Sequence, residues 1–339
     1  MRLTSAALCG TALCCTAAQL PALAQTAAAP PGAQLAPVVV TATRVDARAF
    51  DVPASIDRID GEAIRDARAQ VNISESLGGV PGVLARDRQN YAQDVQISVR
   101  GFGARSTFGI RGVRLYVDGI PATLPDGQGQ ISNVDLGSVE RIEVLRGPFS
   151  ALYGNSSGGV IQVFTEEGSG APRLSFGAAG GSDGMLRLSA RASGASGALG
   201  YTVSASHFRT DGYRDHSRTE RNIGNAKLTI HPDDASKLTL IANSVALPQA
   251  QDPLGLSRAQ FEADPRGVDP SANAFDTRKT VNQTQGGLVF ERRVDAANAL
   301  QVSAYLGHRG TQQYQSIPVA TQNNPLHPGG VIVLGRNYE

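Results

Sequence analysis

From Pro172 onward apolar and polar residues alternate with period two over stretches of about ten residues, and this alternation constrains the fold more than any other feature of the chain. Leu186, Leu188, Ala190 and Ala192 alternate with Arg187, Ser189, Arg191 and Ser193, and Leu300, Val302, Ala304 and Leu306 alternate with Gln301, Ser303 and Tyr305. Seven such segments can be delimited, at 173–180, 184–193, 199–209, 221–231, 237–246, 280–293 and 299–309. Their connections alternate too: 193–198, 232–236 and 295–298 are tight, whereas 210–220, 247–279 and 310 onward are long and polar. A soluble sandwich also alternates, but it does not sort its loops by length onto two rims. Short turns on one rim and long loops on the other predict an antiparallel transmembrane barrel, in which every backbone group bonds strand to strand because lipid offers no partner. Seven tilted strands leave two bare edges, at several kcal/mol per unpaired group in lipid. The expectation for 169–339 is therefore an incomplete barrel, truncated after its first seven or so strands.

The remainder of the chain narrows the function classes. No apolar run of about 20 residues follows the N-terminus, which excludes a helical membrane protein. A net charge of +1 supplies no basic face for a polyanion, so nucleic acid is not an expected partner. Residues 1–25 have the grammar of a secretory signal peptide, with Arg2, an apolar stretch from Leu8 to Leu20, and Ala22-Leu23-Ala24 before Gln25. All three cysteines lie inside it. Residues 26–49 read as an Ala/Pro/Gln-rich leader carrying the β-branched run Val38, Val39, Val40, Thr41, Ala42, with no partner strand nearby. Two readings of that run stay open: an ordinary first strand, or a peptide that adds itself to another protein's sheet edge.

Residues 50–168 mix α and β. A helix is expected from an Asp60 cap to Arg68 and another from a Ser74 cap to Gly78-Gly79, with strands at 83–86, 95–99, 113–117, 141–145 and 160–165. The five histidines (His207, His216, His231, His308, His327) lack metal-ligand spacing. No Ser/His/Asp constellation, phosphate loop or HExxH helix appears, so neither an enzyme nor a cofactor or metal is expected.

Several of these segments carry a family resemblance. The run 36–44 resembles the energy-coupling box of TonB-dependent outer-membrane receptors. Asp51–Ile56, Val99-Arg100-Gly101-Phe102-Gly103, Leu115-Tyr116-Val117-Asp118-Gly119-Ile120-Pro121 and Val139–Pro148, continuing through Ala151-Leu152-Tyr153-Gly154, resemble the family's plug domain. The resemblance implies an α+β plug at 50–168 followed by part of a barrel that has ~22 strands when complete. It implies localisation in the outer membrane of a Gram-negative bacterium, with outer-membrane lipid around the wall. The periplasmic protein TonB would pair with Val38–Ala42, and the cargo would be a ferric siderophore or similar iron chelate, with cobalamin or another metal complex as the alternative. From other classes, a passive porin or adhesin and a secreted β-rich enzyme stay open.

Within the plug, Arg100, Arg105, Arg111 and Arg114 occupy an interval without an acid between Asp94 and Asp118, a positive apex for an anionic ligand. An equal alternative is that Arg100 and Arg146 lock plug to wall and only Arg105 and Arg111 see the vestibule. Pro125–Gln130 resembles the apical loop of ferric-citrate-type receptors, which adds Gln128 and Gln130 as ligand candidates. Glu140, Arg141, Glu143 and Arg146 alternate with Ile142, Val144 and Leu145, so with Arg100 they are the expected plug–wall locking set.

Overall fold

A computed structural model describes residues 52, 54–106, 109–124, 127–154 and 156–317, together with the backbone of three short strands nearer the termini. Two of these are β1 (Val39–Val40) and β2 (Ala47–Arg48), which pair antiparallel with Val39 opposite Arg48 and Val40 opposite Ala47. The β-branched run thus has a local partner that its flanking sequence did not announce. The signal peptide and the box residues Val38, Thr41 and Ala42 lie outside the described residues.

The plug follows. β3 (Ser55–Asp60) leads into helix α1 (Gly61–Arg65), then α2 (Ser74–Leu77), the hairpin β4 (Val83–Arg86) and β5 (Gln96–Val99), β6 (Val113–Val117), β7 (Ile120–Pro121), β8 (Val139–Arg146), α3 (Ser150–Tyr153) and β9 (Gly159–Thr165). Five strands form one sheet in the order β3-β8-β9-β6-β7, with only β6 and β9 parallel; β4 and β5 pair separately. α1 ends three residues before the expected Arg68, and the chain adopts a left-handed conformation at Ala67. Asp60 does not cap it through its side chain, which accepts instead from Arg58 Nε. Ser74 is likewise inside α2 and not its cap; the ordering group is the Glu75 carboxylate, which accepts the backbone N–H groups of Gln70, Val71 and Asn72.

β8 departs from simple alternation. Ile142, Val144 and Leu145 are buried as expected, but so is Glu143, because both faces of β8 are packed, Ile142 and Val144 in the main core and Leu145 against Tyr153 and Val160 on the face that Glu143 shares. Its carboxylate accepts from Arg141 Nε at 2.8 Å, and the Arg141 guanidinium stacks 3.9 Å over the Phe164 ring, which makes burial of the charge tolerable. Around this sheet Ile64, Leu77, Ile97, Leu115, Leu136 and Ile161 form the main core.

The wall is a single antiparallel sheet of β10 (Arg173–Gly180), β11 (Leu186–Ser196), β12 (Leu199–Thr210), β13 (Thr219–Asp233), β14 (Ser236–Gln251), β15 (Arg278–Arg293) and β16 (Ala299–Tyr314) in sequence order. These are the seven alternating segments, each expected strand lying within or close to the observed one. A short eighth strand, β17 (Arg336–Tyr338), pairs with β16 where the sequence reading had only a loop. β14 outruns its alternating stretch: the ladder to β15 shifts register between Leu247 and Ala250, where Pro248 has no N–H to give. Along β13 the odd-numbered residues from 219 to 229 are buried and the even-numbered ones are not, so the more polar set, with Arg221, Asn225 and Lys227, faces inward onto the plug. Among the described residues no helix is long and apolar enough to cross a membrane; the wall would cross with strands.

Candidate functional site

Plug and wall meet through polar groups. Lys227 of β13 lies 3.0 Å from Asp118 Oδ1 and donates to the Thr165 carbonyl at 2.8 Å. Asp118 also accepts from the Thr165 backbone N–H and hydroxyl, so its carboxylate is buried with every contact charge-assisted. Arg191 of β11 donates to Glu166 at 2.7 Å and to the Gly137 carbonyl at 2.9 Å. Lys237 lies 3.1 Å from both Glu167 and Glu291, and Lys279 lies 3.2 Å from Asp94. Arg221 donates to the Val71 carbonyl, Asn243 and Asn133 exchange amide hydrogen bonds, and Arg309 donates to Gln130 Oε1 at 3.0 Å. Burial alone would raise the Glu167 pKa, but the ammonium groups of Lys237 and Lys227 outweigh it and hold it below the usual carboxylate range.

At the rim of long loops the two parts enclose a recess of about 520 Å³. Its plug side is Arg88, Gln89, Asn90 and Gln93; its wall side is Tyr213 and Arg214 from the 211–218 loop and Asp252 to Gly255 from the 252–277 loop. The wall side is prebuilt. Arg214 donates to the carbonyls of Pro253, Leu254 and Gly267, and Arg266 bonds Asp183 at 2.8 Å while lying 4.6 Å from the Tyr213 ring centroid. Three connections of that rim are thereby tied together. The lips carry left-handed backbone at non-glycine residues, Arg88, Gln89 and Leu254, an arrangement that persists only where surrounding contacts enforce it.

The residues singled out in the sequence fall around this recess more than in it. Arg105 is exposed on the loop whose Ser106 carbonyl accepts from Arg88, one loop away. Arg111 is exposed too. Gln128 packs against Gly109, whose lack of a Cβ leaves room for it, and Gln130 is engaged by Arg309 of the wall. The pairs described for the expected locking set lie inside the plug: Arg141 with Glu140 and Glu143, and Arg146 with Asp57 and the Pro81 carbonyl. Arg100 is exposed, with positive φ, and its backbone N–H donates to Gly82. The cross-interface ion pairs described fall instead on Lys227, Arg187, Arg191, Lys237 and Lys279, reaching Asp118, Asp135, Glu166, Glu167 and Asp94. A signal for part of this set was present, since Lys227, Lys237 and Lys279 are the only lysines in the sequence and all sit in alternating segments or at their edge. Among the described residues no cluster of His, Cys, Asp or Glu could hold a metal ion.

Residues 48–160 match the family model described as the TonB-dependent receptor plug domain. Residues 48–160 are thus a plug domain of the TonB-dependent receptor type. The chain is 36% identical over 166 residues to the vitamin B12 transporter BtuB of Photobacterium profundum, a match covering 48% of this chain and 26% of that one. With the ferrioxamine receptor of Yersinia enterocolitica it shares 27% identity over 296 residues, 81% of this chain and 38% of that protein. The fold resembles that of the unliganded ferric citrate transporter FecA, with a TM-score of 0.62 at 21% identity, covering 78% of this chain and 41% of that structure. The chain therefore spans between about a quarter and two-fifths of the lengths of these three relatives. The fold class expected from sequence, an α+β plug followed by an unclosed antiparallel barrel wall, is the one observed.

Proposed function

We propose that this receptor takes up a ferric chelate across the outer membrane by TonB-dependent active transport. The observation that carries the reading is the recess at the long-loop rim, bordered by the exposed cation Arg88, with Arg105 one loop away, above a plug bonded to the wall. An anionic chelate would enter from the loop rim and be bound by charge-assisted hydrogen bonds, worth about 1.5–3 kcal/mol each. The plug blocks passive flow, so passage requires work on the plug. The coupling run Val38–Ala42 would supply the handle, adding as a strand to TonB and transmitting force from the inner membrane. Val39–Val40 has extended backbone suited to such pairing.

A second reading, cobalamin transport, is favoured by the 36% identity to a vitamin B12 transporter over 166 residues. The two differ in charge at the recess. Titrating a panel of ferric chelates and cobalamin against the full-length receptor separates them: saturable binding of an anionic ferric chelate supports the first reading, and binding of cobalamin alone replaces it with the second. Uptake that persists in a TonB-deficient strain would overturn both.

A further inference from the structure

The 252–277 loop is gathered at a neck. Asp252 follows the last residue of β14 and Thr277 precedes the first of β15. The Asp252 N–H donates to the Thr277 carbonyl at 2.9 Å, and the Thr277 hydroxyl donates to the Asp252 carbonyl at 2.6 Å. From this neck the Asp252 carboxylate, 5% exposed, reaches across to the plug. It accepts from Asn90 Nδ2 at 2.7 Å, from Gln93 Nε2 at 2.5 Å and from the Leu254 N–H at 3.0 Å. A buried carboxylate with three N–H donors is stable only while those donors stay, because each bond lost leaves charge without solvation. Two of the three donors belong to the plug.

The same plug residues line the recess, and the third donor sits on its opposite lip. The 87–93 segment is held in position by further local bonds, Gln89 N–H to Asp87 and Ala92 N–H to Asn90 Oδ1, with left-handed backbone at Arg88 and Gln89. Its amides are therefore presented to Asp252 as one unit. Helices α4 (Arg258–Ala263) and α5 (Pro270–Phe275) are carried by the loop beyond the neck. We propose that Asp252 is a positioning residue that latches the 252–277 loop to the plug apex, so that displacement of the 90–93 segment releases the neck of the loop from the plug and reshapes both lips of the recess together. The latch goes beyond the uptake reading and takes from it only the reason for the plug to move.

The test uses the unliganded full-length receptor in detergent and reads amide hydrogen exchange in 253–276, so its outcome is independent of what the receptor carries. Gln93→Glu sets a carboxylate against Asp252 and should raise exchange in the loop by ten- to a hundredfold, while β8 and β9 keep their protection. Adding Asp252→Asn reverses the donor and acceptor roles and should restore protection, which a merely structural defect at Gln93 would not do. Unchanged exchange in Gln93→Glu, failure of Asp252→Asn to reverse it, or loss of protection spreading to β8 and β9 would each overturn the latch.

Discussion

Lys227 of the wall and Asp118 of the plug, 109 residues apart in the chain, form an ion pair at 3.0 Å with both side chains almost fully enclosed. Asp118 stands at the left-handed turn joining β6 and β7, so a hairpin of the plug is pinned to the wall by one ammonium group. Removing one partner of such a pair leaves an uncompensated buried charge, at about 3–5 kcal/mol. Lys227→Met should therefore lower the unfolding free energy of the plug in the full-length receptor by that order, read as a fall in its denaturant midpoint at unchanged slope. Lys227→Met combined with Asp118→Asn should recover a substantial part of the loss. Equal midpoints for wild type and Lys227→Met would show that the pair contributes nothing.

The β8–β9 contact imposes a second sharp requirement. Gly159 has φ of +145°, and a methyl group on it would overlap the Leu145 carbonyl oxygen. Gly101, with φ of +87°, has open space around it. Gly101→Ala should cost only backbone strain, about 1–2 kcal/mol, whereas Gly159→Ala should separate β8 from β9 and cost more. Thermal unfolding of the two variants side by side gives the order, and a Gly159→Ala transition above that of Gly101→Ala would contradict it.

Ligand binding should depend on cations at the recess. Arg88→Ala is expected to weaken an anionic ferric chelate by roughly ten- to a hundredfold, since ~1.4 kcal/mol is a factor of ten. Arg105→Ala should have a smaller effect from its adjacent loop, and Gln128→Ala smaller again because its bonds are neutral on the protein side. Isothermal titration with ferric chelates measures this order; affinities insensitive to Arg88 and Arg105 would remove the anionic reading.

Coupling is tested at the box. Val39→Pro removes a backbone donor and fixes φ, which disfavours an added strand. Whole cells carrying this variant should still bind ligand at the surface but lose energised uptake. Unimpaired uptake would show that 38–42 is not the coupling segment.

Acid should loosen the junction between plug and wall. Glu167 has a folded pKa below its unfolded value, so its contribution to stability is present above the ordinary carboxylate range and is lost as pH falls through the lowered folded pKa. Its side chain is 40% exposed, and solvent screening keeps the contribution small. Proteolysis between 168 and 172 should accelerate below about pH 4, and Glu167→Gln should flatten that dependence. A wild-type cleavage rate flat across the acid range would refute the role of this carboxylate.

The sequence by itself determined the wall, because a strand pleat turns period-two alternation directly into an inner and an outer face, and loop length assigns the rims. It also marked much of the plug: β4 and β6 begin and end at the expected 83–86 and 113–117, and the glycine at 159 stands where close approach to β8 demands it. What it could not supply was pairing across sequence distance. The charges on β8 looked like an outward face, yet Glu143 is buried because its face also carries Leu145 packed against Tyr153 and Val160, and no local pattern encodes those neighbours. The three lysines were visible as rare residues, but only folding brings Lys227 to Asp118, Lys237 to Glu167 and Lys279 to Asp94. The recess was invisible for the same reason: Asn90 and Asp252 are 162 residues apart, and their contact exists because the wall curves around the plug and sets one loop's neck against the other's apex. Periodicity is a property of neighbouring residues, whereas an ion pair or a recess is a property of surfaces brought together, and only the tertiary structure decides which surfaces meet.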